Sequence, residues 1–283
     1  MFAAKESRPY LMPSLDEIRD GLHISYSQLN TYLLCPLKFQ FAYVLGLQPE
    51  FVPVALPFGS AFHQGIELLY KTVQITDHVP SLQELQEAFA AHWASQEEAG
   101  KGYVRLKNDE TWASLKDLGV KLIEAYYTWL QQKGMPTAES VVAVEQPLRV
   151  ALDENIDFIG VVDVMLRDTS DHSLYRLIDL KTAARRYDEA KIASDNQLTA
   201  YKFLLDRGGF LPEDAQLTLS WQVALKLKKP AIEEYVTVRE DRDVRRFEKL
   251  THLVLRALDQ DVFYPNPGWA CEGCGHQAAC RSW

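Results

Sequence analysis

Residues 158 to 182 read FIGVVDVMLRDTSDHSLYRLIDLKT. Within this stretch the segments 158–166 and 174–181 are rich in β-branched residues and alternate in polarity, and a turn-rich run over 168–173 separates them. This pattern is typical of two neighbouring strands joined by a turn. A similar alternating segment over 141–150 precedes them. We therefore predict three consecutive antiparallel strands.

Two of these strands carry acids that need an explanation. Asp179 and Lys181 are two residues apart, so their side chains emerge on one side of the strand with Cα atoms roughly 6.6 Å apart, while Leu180 points into the opposite, apolar layer. Asp163 interrupts the hydrophobic strand before them, near its end. A half-buried carboxylate is costly unless it is paired or bound to a cation. A plain Asp–Lys ion pair at a sheet surface is one interpretation, because Asp-x-Lys is short and common.

The other interpretation is a site for a hard cation. Asp163 and Asp179 would supply anionic oxygens to Mg²⁺ or Mn²⁺, which also engages a substrate phosphate. Lys181 would then lie beside the attacking water. There it could orient or deprotonate that water, or neutralise charge that grows on the phosphate oxygens.

Other residue pairs add to this set. Gln197 and Tyr201 are four apart, so one helix face carries an amide and a phenol together. His63 and Glu67 share a helix face in the same way, and a histidine there is either a structural residue or a metal ligand. Glu145, after an apolar run in the first strand, is a further candidate acid.

Four regions follow from the pattern along the chain. They are a proline-punctuated lead-in over 1–23, a helical region over 24–135 that carries Cys35 and His63, an α/β core over 136–262, and a cysteine-rich segment over 263–283 that packs back on Cys35. A first helix is predicted with Ser25 or Ser27 as its N-cap, and a second after Gly59. Further helices are predicted over 82–95, 111–132, 195–205 and 242–258, with a fourth strand over 217–227.

All four cysteines fall into one arrangement. Cys271, Cys274 and Cys280 form a Cys-x2-Cys-x5-Cys run, and Cys35 precedes Pro36 near the other end of the chain. Two disulfides are possible, but the Cys-x2-Cys spacing suits a metal better and a reducing cytosol disfavours disulfides. We predict one four-thiolate metal site that ties the two ends of the chain together.

The charge limits how the protein can meet a nucleic acid. The net charge is −9 and the isoelectric point is about 5.3, whereas proteins that coat nucleic acid by bulk electrostatics are usually basic. Any contact with DNA must therefore be local. Neither a secretion signal nor an apolar run of membrane-spanning length is found, so we expect a cytoplasmic protein with no membrane contact.

With these residues in view, the chain resembles the PD-(D/E)XK nuclease superfamily, and within it the RecB-like exonucleases that carry an iron–sulfur cluster. The resemblance spans Ser25 to Cys280. It rests on the order and spacing of short motifs: Ser-Tyr-Ser-Gln-Leu-Asn-Thr-Tyr-Leu-Leu-Cys-Pro from Ser25, Gly-Ser-Ala-Phe-His from Gly59, Gly-Val-Val-Asp from Gly160, Ile-Asp-Leu-Lys-Thr from Ile178, Gln-Leu-Thr-Ala-Tyr from Gln197, and the terminal cysteines.

The resemblance implies a fold and a set of roles. The fold is a mixed sheet flanked by helices, with an N-terminal helical appendage and a C-terminal cysteine-rich metal staple. The implied metal ligands are His63, Asp163, Asp179 and the Leu180 carbonyl. The implied catalytic residues are Asp163, Asp179, Lys181, Gln197 and Tyr201, with Glu145 added on weaker precedent. Asp179 stands where many relatives have glutamate, and its shorter arm is expected to shift the metal without abolishing binding.

The resemblance also implies a cofactor. Cluster-bearing relatives such as the AddB nuclease domain and the CRISPR-adaptation exonucleases have one cysteine before the nuclease core and three after it, as Cys35 and the C-terminal trio do here. A [4Fe-4S] cluster is therefore expected, with a four-cysteine zinc site as the alternative that the same residues fit.

The expected function is metal-dependent hydrolysis of DNA, by an exonuclease that acts on single strands or strand ends in repair, recombination or CRISPR adaptation. A helicase or a CRISPR-adaptation protein is a possible partner. Two alternatives stay open. One is a non-catalytic module that binds DNA or protein, and the other is a hydrolase that uses the same chemistry on a small phosphoester.

Overall fold

A computed structural model describes residues 21–107 and 109–283 of the chain. The strands are β1 (His23–Ser25), β2 (Val52–Pro53), β3 (Val104–Arg105), β4 (Val141–Ala151), β5 (Asp157–Arg167), β6 (Leu174–Ala183), β7 (Gln216–Leu225) and β8 (Ala231–Thr237). The helices are α1 (Tyr26–Leu34), α2 (Pro36–Phe39), α3 (Ala55–Thr76), α4 (Leu82–Ala99), α5 (Trp112–Lys133), α6 (Glu189–Ser194), α7 (Gln197–Gly208), α8 (Asp241–Asp259) and α9 (Gln277–Arg281). The predicted lead-in, apart from residues 21–23, lies outside the described residues.

The main sheet is mixed, with β4 at one edge, β8 at the other and β6 at its centre. β4 and β6 both pair antiparallel with β5, β7 runs parallel to β6, and β8 returns antiparallel to β7. The predicted run of three antiparallel strands is therefore confirmed. β8 was missed by the sequence analysis, as was β1, which pairs parallel with the start of β5.

One edge of β5 is shared by two strands. β1 pairs with residues 157–159, whereas β6 pairs with residues 164–167. Residues 160–163 have neither strand beside them on this edge. β5 and β6 therefore diverge at this point, and we call the opening between them the fork. A sheet that splits in its middle offers space for polar side chains without breaking the rest of the ladder.

Helices cover both faces of the sheet. On one face α1, α7 and α8 enclose a core in which Phe158 packs edge-to-face against Phe203 and Phe247, with ring centroids 5.6 and 5.5 Å apart. On the other face α3, α4 and α5 enclose a second core that contains Phe58 and Phe89. The fold is thus a mixed sheet between two helical layers, as the sequence predicted.

The helix starts follow their capping residues. Ser25 accepts a hydrogen bond from the backbone of Gln28, whose side chain accepts one from Ser25 in return, so Ser25 is the N-cap and the other candidate, Ser27, is not. The predicted start of the next long helix after Gly59 is wrong, because α3 begins at Ala55 and includes Pro57. A proline is tolerated in the first turn because the backbone N–H groups there need no intrahelical acceptor.

Within the part of the chain that the structure describes, no helix is both long enough and apolar enough to cross a bilayer.

The C-terminal segment returns to the start of the described chain. The Tyr264 carbonyl accepts a hydrogen bond from the Leu37 backbone at 3.0 Å, and Asn266 donates one to the Leu34 carbonyl at 3.0 Å. Farther along, the Gly275 carbonyl accepts from the Glu50 backbone at 2.6 Å. Backbone contacts therefore hold residues 264–275 against the segment that contains Cys35.

Candidate active site

The fork brings the two aspartates of the sheet next to each other. The last pair of residues between β5 and β6 is Val164 with Ile178, so Asp163 and Asp179 are the first residues beyond the paired region. Asp163 accepts a hydrogen bond on Oδ2 from the backbone N–H of Leu180, at 2.7 Å. The Asp163 carboxylate thus replaces the carbonyl of a neighbouring strand as the acceptor for the Leu180 N–H. This satisfies a buried backbone donor at the point where the pairing of β5 with β6 ends.

His63 of α3 and Glu145 of β4 complete a cluster around Asp163. The His63 Nδ1 atom lies 3.9 Å from Glu145 Oε1 and 3.8 Å from Asp163 Oδ2. One ligand atom from each residue lies within 4.8 Å of the other two. The three side chains are mostly buried, with 27%, 27% and 10% of their surface exposed for His63, Glu145 and Asp163. Such a set of nitrogen and oxygen donors is what a divalent cation requires.

The backbone of Glu145 is strained to reach this cluster. Its φ is +47° in the middle of a strand, a left-handed conformation that costs a residue with a side chain roughly 1–2 kcal/mol. Burial, followed by the repulsion of Asp163, raises the pKa of the Glu145 carboxyl to about 8. A strained backbone and a destabilised charge thus coincide at one residue of the cluster.

A backbone carbonyl also faces the cluster. The Leu180 carbonyl oxygen lies 2.9 Å from His63 Nε2. With Nε2 protonated, the ring donates to this carbonyl and its Nδ1 lone pair faces Glu145 and Asp163. In this tautomer the Nδ1 lone pair is the one available to a cation, and the hydrogen bond from Nε2 to the Leu180 carbonyl fixes the ring.

Asp179 is fully buried and is surrounded by polar partners. Its Oδ1 accepts from Gln197 Nε2 at 2.8 Å and from the Tyr201 hydroxyl at 3.3 Å. Its Oδ2 lies 2.7 Å from Lys181 Nζ in an ion pair, and makes no further hydrogen bond to the described residues. Burial raises the pKa of Asp179 although Lys181 opposes the rise. Gln197 and Tyr201, predicted as neighbours on a helix face and implied by the resemblance to be site residues, both hydrogen bond to the Asp179 carboxylate.

The predicted residues fall into two adjoining groups. His63, Glu145, Asp163 and the Leu180 carbonyl form the first group. The second group comprises Asp179, Lys181, Gln197 and Tyr201, and the Asp163–Leu180 hydrogen bond joins it to the first. Asp163 lies inside β5 rather than near its end, but it does lie at the end of the pairing with β6. Glu67, the other acid predicted on the His63 helix face, pairs with Lys71 instead.

The four cysteines line a single cavity of about 400 Å³ between α1, α2 and the C-terminal segment. None of them is in a disulfide. Burial, followed by the charges of the other three cysteines, raises the pKa of the Cys280 thiol. Nevertheless, no three of the sulfurs, all of which belong to described residues, lie within 4.8 Å of one another. The cavity therefore gathers the thiols but holds them apart.

The sequence profile of the PD-(D/E)XK nuclease superfamily matches residues 23–281. The chain belongs to this superfamily. The match includes both groups of site residues and all four cysteines. No curated protein is detectably similar to this chain in sequence.

One solved structure is similar to this chain in fold. A crystal structure from Eubacterium rectale, described as a "Putative exonuclease", aligns with 96% of this chain and 93% of its own at 10% identity, with a TM-score of 0.55. At that identity the likeness shows the fold alone. The structure of SSO0001 aligns with 91% of this chain and 98% of its own at 16% identity. Its TM-score of 0.34 is too low to indicate a shared fold.

Two residues near the candidate site were not identified by the sequence analysis. Asp195 accepts hydrogen bonds on Oδ1 from the Gln197 backbone at 2.8 Å and from the Tyr26 hydroxyl at 3.0 Å. It thereby fixes the start of α7 and aims Gln197 at Asp179. An aspartate two residues before a helix start is a recognisable Asx turn signal, but no local pattern connects it with Tyr26 of α1.

Proposed function

We propose that the protein is a divalent-metal-dependent deoxyribonuclease that hydrolyses phosphodiester bonds in single-stranded DNA or at strand ends. The proposal rests on one observation: Asp163 and Asp179 lie side by side at the fork, and Lys181 forms an ion pair with Asp179. Membership of a nuclease superfamily supports the reaction class. The acidic net charge supports a substrate held by local contacts, because a strongly negative surface repels long duplex DNA.

The residues at the fork fit Mg²⁺ or Mn²⁺. We propose His63, Asp163, Asp179 and the Leu180 carbonyl as ligands, with Glu145 as a further one. Their donors are oxygens and one imidazole nitrogen, a set that suits these ions better than soft metals. The buried Asp179 Oδ2, which has only Lys181 as a close partner among the described residues, has coordination capacity to spare. When bound, the cation would polarise the phosphate and lower the pKa of water.

The other residues of the second group have separate roles in the proposal. Gln197 and Tyr201 hold Asp179 Oδ1, so the carboxylate is fixed before a substrate arrives. Preorganisation of this kind removes the cost of ordering the site during the reaction. Glu145, whose raised pKa keeps it protonated at neutral pH, would lose its proton when a cation binds beside it.

The charge state of Lys181 decides between its predicted roles as a general base and as a cation that stabilises charge and orients water. Burial opposes the ammonium charge, but the neighbouring Asp179 and Asp163 outweigh that effect and the pKa of Lys181 is raised. A lysine that stays protonated is a poor general base. We therefore propose that Lys181 stabilises the negative charge that grows on the phosphate oxygens, and that it orients the attacking water without deprotonating it.

A cleavage assay tests the proposal. Labelled single-stranded DNA is incubated with the protein in Mg²⁺ or Mn²⁺, with EDTA and with Asp163→Ala purified in the same way as controls. Cleavage that needs metal and is lost in Asp163→Ala is expected. DNA that shifts without being cut would favour the binding module. Hydrolysis of a small chromogenic phosphodiester without cleavage of DNA would favour the alternative hydrolase.

We also propose a [4Fe-4S] cluster bound by Cys35, Cys271, Cys274 and Cys280. The cavity that these cysteines share supports a metal group at this place. Around one tetrahedral zinc ion, with Zn–S bonds of about 2.3 Å, the four sulfurs would lie roughly 3.8 Å apart. Here no three of these sulfurs come within 4.8 Å of one another, and a cluster of four irons holds its ligands farther apart than one ion does. Iron, sulfide and zinc analysis of anaerobically purified protein decides between the two.

The biological setting is proposed from the family resemblance. A RecB-like nuclease with this arrangement of cysteines would act in the cytoplasm in repair, recombination or CRISPR adaptation, beside a helicase or a CRISPR-adaptation protein. Substrates blocked at one end and then at the other would identify an exonuclease and its polarity. Cleavage of a circular single strand would instead identify an endonuclease.

A further inference from the structure

A second cavity, distinct from the cysteine cavity, adjoins the fork. Its volume is about 540 Å³, and it lies between the β1–α1 segment, β5 and the start of α7. Gly160 and Val161, which line it, belong to the stretch of β5 beside which the fork opens. Gln197 and Tyr201 also line it, and both hydrogen bond to Asp179. A group bound in this cavity would therefore be one side chain away from the proposed catalytic acids.

The walls of this cavity are polar but carry no permanent charge. Tyrosine, serine, glutamine and aliphatic residues line it together with His23, and lysine, arginine, aspartate and glutamate are absent from the lining among the described residues. A phosphate group would find no cation there. A ligand with an uncharged ring and several heteroatoms suits these walls better, since a pocket orients such a ligand with a few polar groups.

Two amide groups in the cavity are available for hydrogen bonds. Gln28 accepts from the Ser25 backbone through Oε1 at 2.7 Å, and its Nε2 makes no hydrogen bond within the described residues. Gln197 donates through Nε2 to Asp179, which leaves its Oε1 without a partner in the same part of the chain. The cavity thus offers one free donor and one free acceptor, as the edge of a nucleobase requires.

An aromatic ring stands at the cavity wall. Tyr43 is 46% exposed and is held on one side by Phe39, with ring centroids 5.0 Å apart. Tyr26, whose hydroxyl is tied to Asp195, supplies a second ring. Bases of single strands stack on such rings without regard to sequence, because every base has a π-face.

We propose that this cavity binds one nucleoside of a single-stranded DNA, with its base against Tyr43 and its adjoining phosphate at Asp163 and Asp179. The inference rests on the proposed nuclease function and names the form of its substrate. A cavity of 540 Å³ accepts a single base with its sugar but not a base pair within a duplex. A strand end or an unpaired strand satisfies this requirement, whereas internal duplex DNA would first have to be opened.

Binding measurements test the proposal without relying on cleavage. A fluorescein-labelled single-stranded oligonucleotide, and a series that carries one abasic site at successive positions, are titrated in Ca²⁺ with wild-type protein and with Tyr43→Ala. Loss of stacking at one base is expected to weaken binding roughly 5- to 150-fold, the equivalent of about 1–3 kcal/mol. Tyr264→Ala, which removes a tyrosine that is 52% exposed and does not line the cavity, is the matched control and should bind like the wild type.

The decisive result is non-additivity. One abasic position should weaken binding to the wild type but cause no further loss in Tyr43→Ala, because the same contact is already missing. Additive losses at every position would overturn the proposal. If Tyr43→Ala does not fold, Ser27→Trp, which puts an indole at an exposed lining position, should produce the same insensitivity to the abasic site.

The outcomes separate this proposal from that of the nuclease. A protein that cuts DNA but shows additive losses retains its nuclease function and loses the nucleoside cavity. A protein that does not cut in any divalent metal, yet shows the non-additive pattern, retains the cavity and loses the nuclease assignment. A protein with no measurable affinity for single-stranded DNA overturns both.

Discussion

The Asp163 carboxylate accepts a hydrogen bond from the peptide N–H of Leu180, 2.7 Å away, at the point where β5 and β6 diverge. This bond closes the end of the ladder with a side chain and thereby fixes the carboxylate beside Asp179. It also leaves the Leu180 carbonyl to face His63 at 2.9 Å. The backbone N–H and C=O of Leu180, between Asp179 and Lys181, thus contact two residues of the first group, Asp163 and His63.

Lys181→Ala should lower the turnover number for DNA cleavage by roughly 10²- to 10³-fold, since removal of one charge-stabilising donor typically costs that much. Binding of DNA in Ca²⁺ should change far less, because one charge is a small part of the contact. Single-turnover kinetics provides the measurement. Lys101→Ala removes a lysine of the same charge that pairs with Glu98 at the surface, and it should cleave normally. Equal rates in both variants would rule out a catalytic role for Lys181.

Glu145→Gln should change how the stability of the metal-free protein depends on pH. The folded-state pKa of Glu145 is raised to about 8 from its ordinary 4.5. A carboxyl with a raised pKa destabilises the fold increasingly as pH rises from about 4.5 to about 8. In EDTA, the wild type should therefore lose stability relative to Glu145→Gln across this window and show no relative change below it. Urea midpoints at several pH values give the measurement, and parallel curves would contradict the assignment.

Gly119→Ala should destabilise the protein by about 1–3 kcal/mol through overpacking. A Cβ at this position would lie 1.8 Å from the ring of Phe89, which is fully buried between α4 and α5. Gly59→Ala is a matched change inside α3, where the nearest atom is Thr182 Oγ1 at 3.9 Å. It should instead stabilise the helix by about 1 kcal/mol. Thermal unfolding of the two variants side by side should give shifts of opposite sign.

Cys280→Ser should yield protein with little bound iron, no visible colour and lower solubility. A group that joins Cys35 to the C-terminal segment closes a loop of more than two hundred residues, and its loss frees the unfolded chain. Iron content and melting temperature are measured together. Ala278→Ser, which adds a hydroxyl on the same helix α9, should keep both. A stable, soluble Cys280→Ser protein without metal would show that the staple is dispensable.

Much of the architecture could be predicted because it depends on local patterns. The alternation over 141–181 predicted β4, β5 and β6, and Ser25 predicted the start of α1. β1 could not be predicted in this way, because His23–Ser25 is too short for any periodicity and forms by pairing with residues 157–159, far along the chain. The start of α3 was wrongly predicted after Gly59, and local patterns do not correct it, because the tolerance of Pro57 in a first turn depends on where the helix begins.

The sequence by itself determined the chemical groups of this protein: the two aspartates with their lysine, the histidine, the glutamine–tyrosine pair and the four thiols. Only the tertiary structure decided how these groups combine. The fork, the left-handed backbone of Glu145 and the cavity beside Gln197 all arise where segments distant in the chain pack together. Their energies depend on burial and on long-range hydrogen bonds, whereas periodicity in a sequence reports only which face of one element is buried.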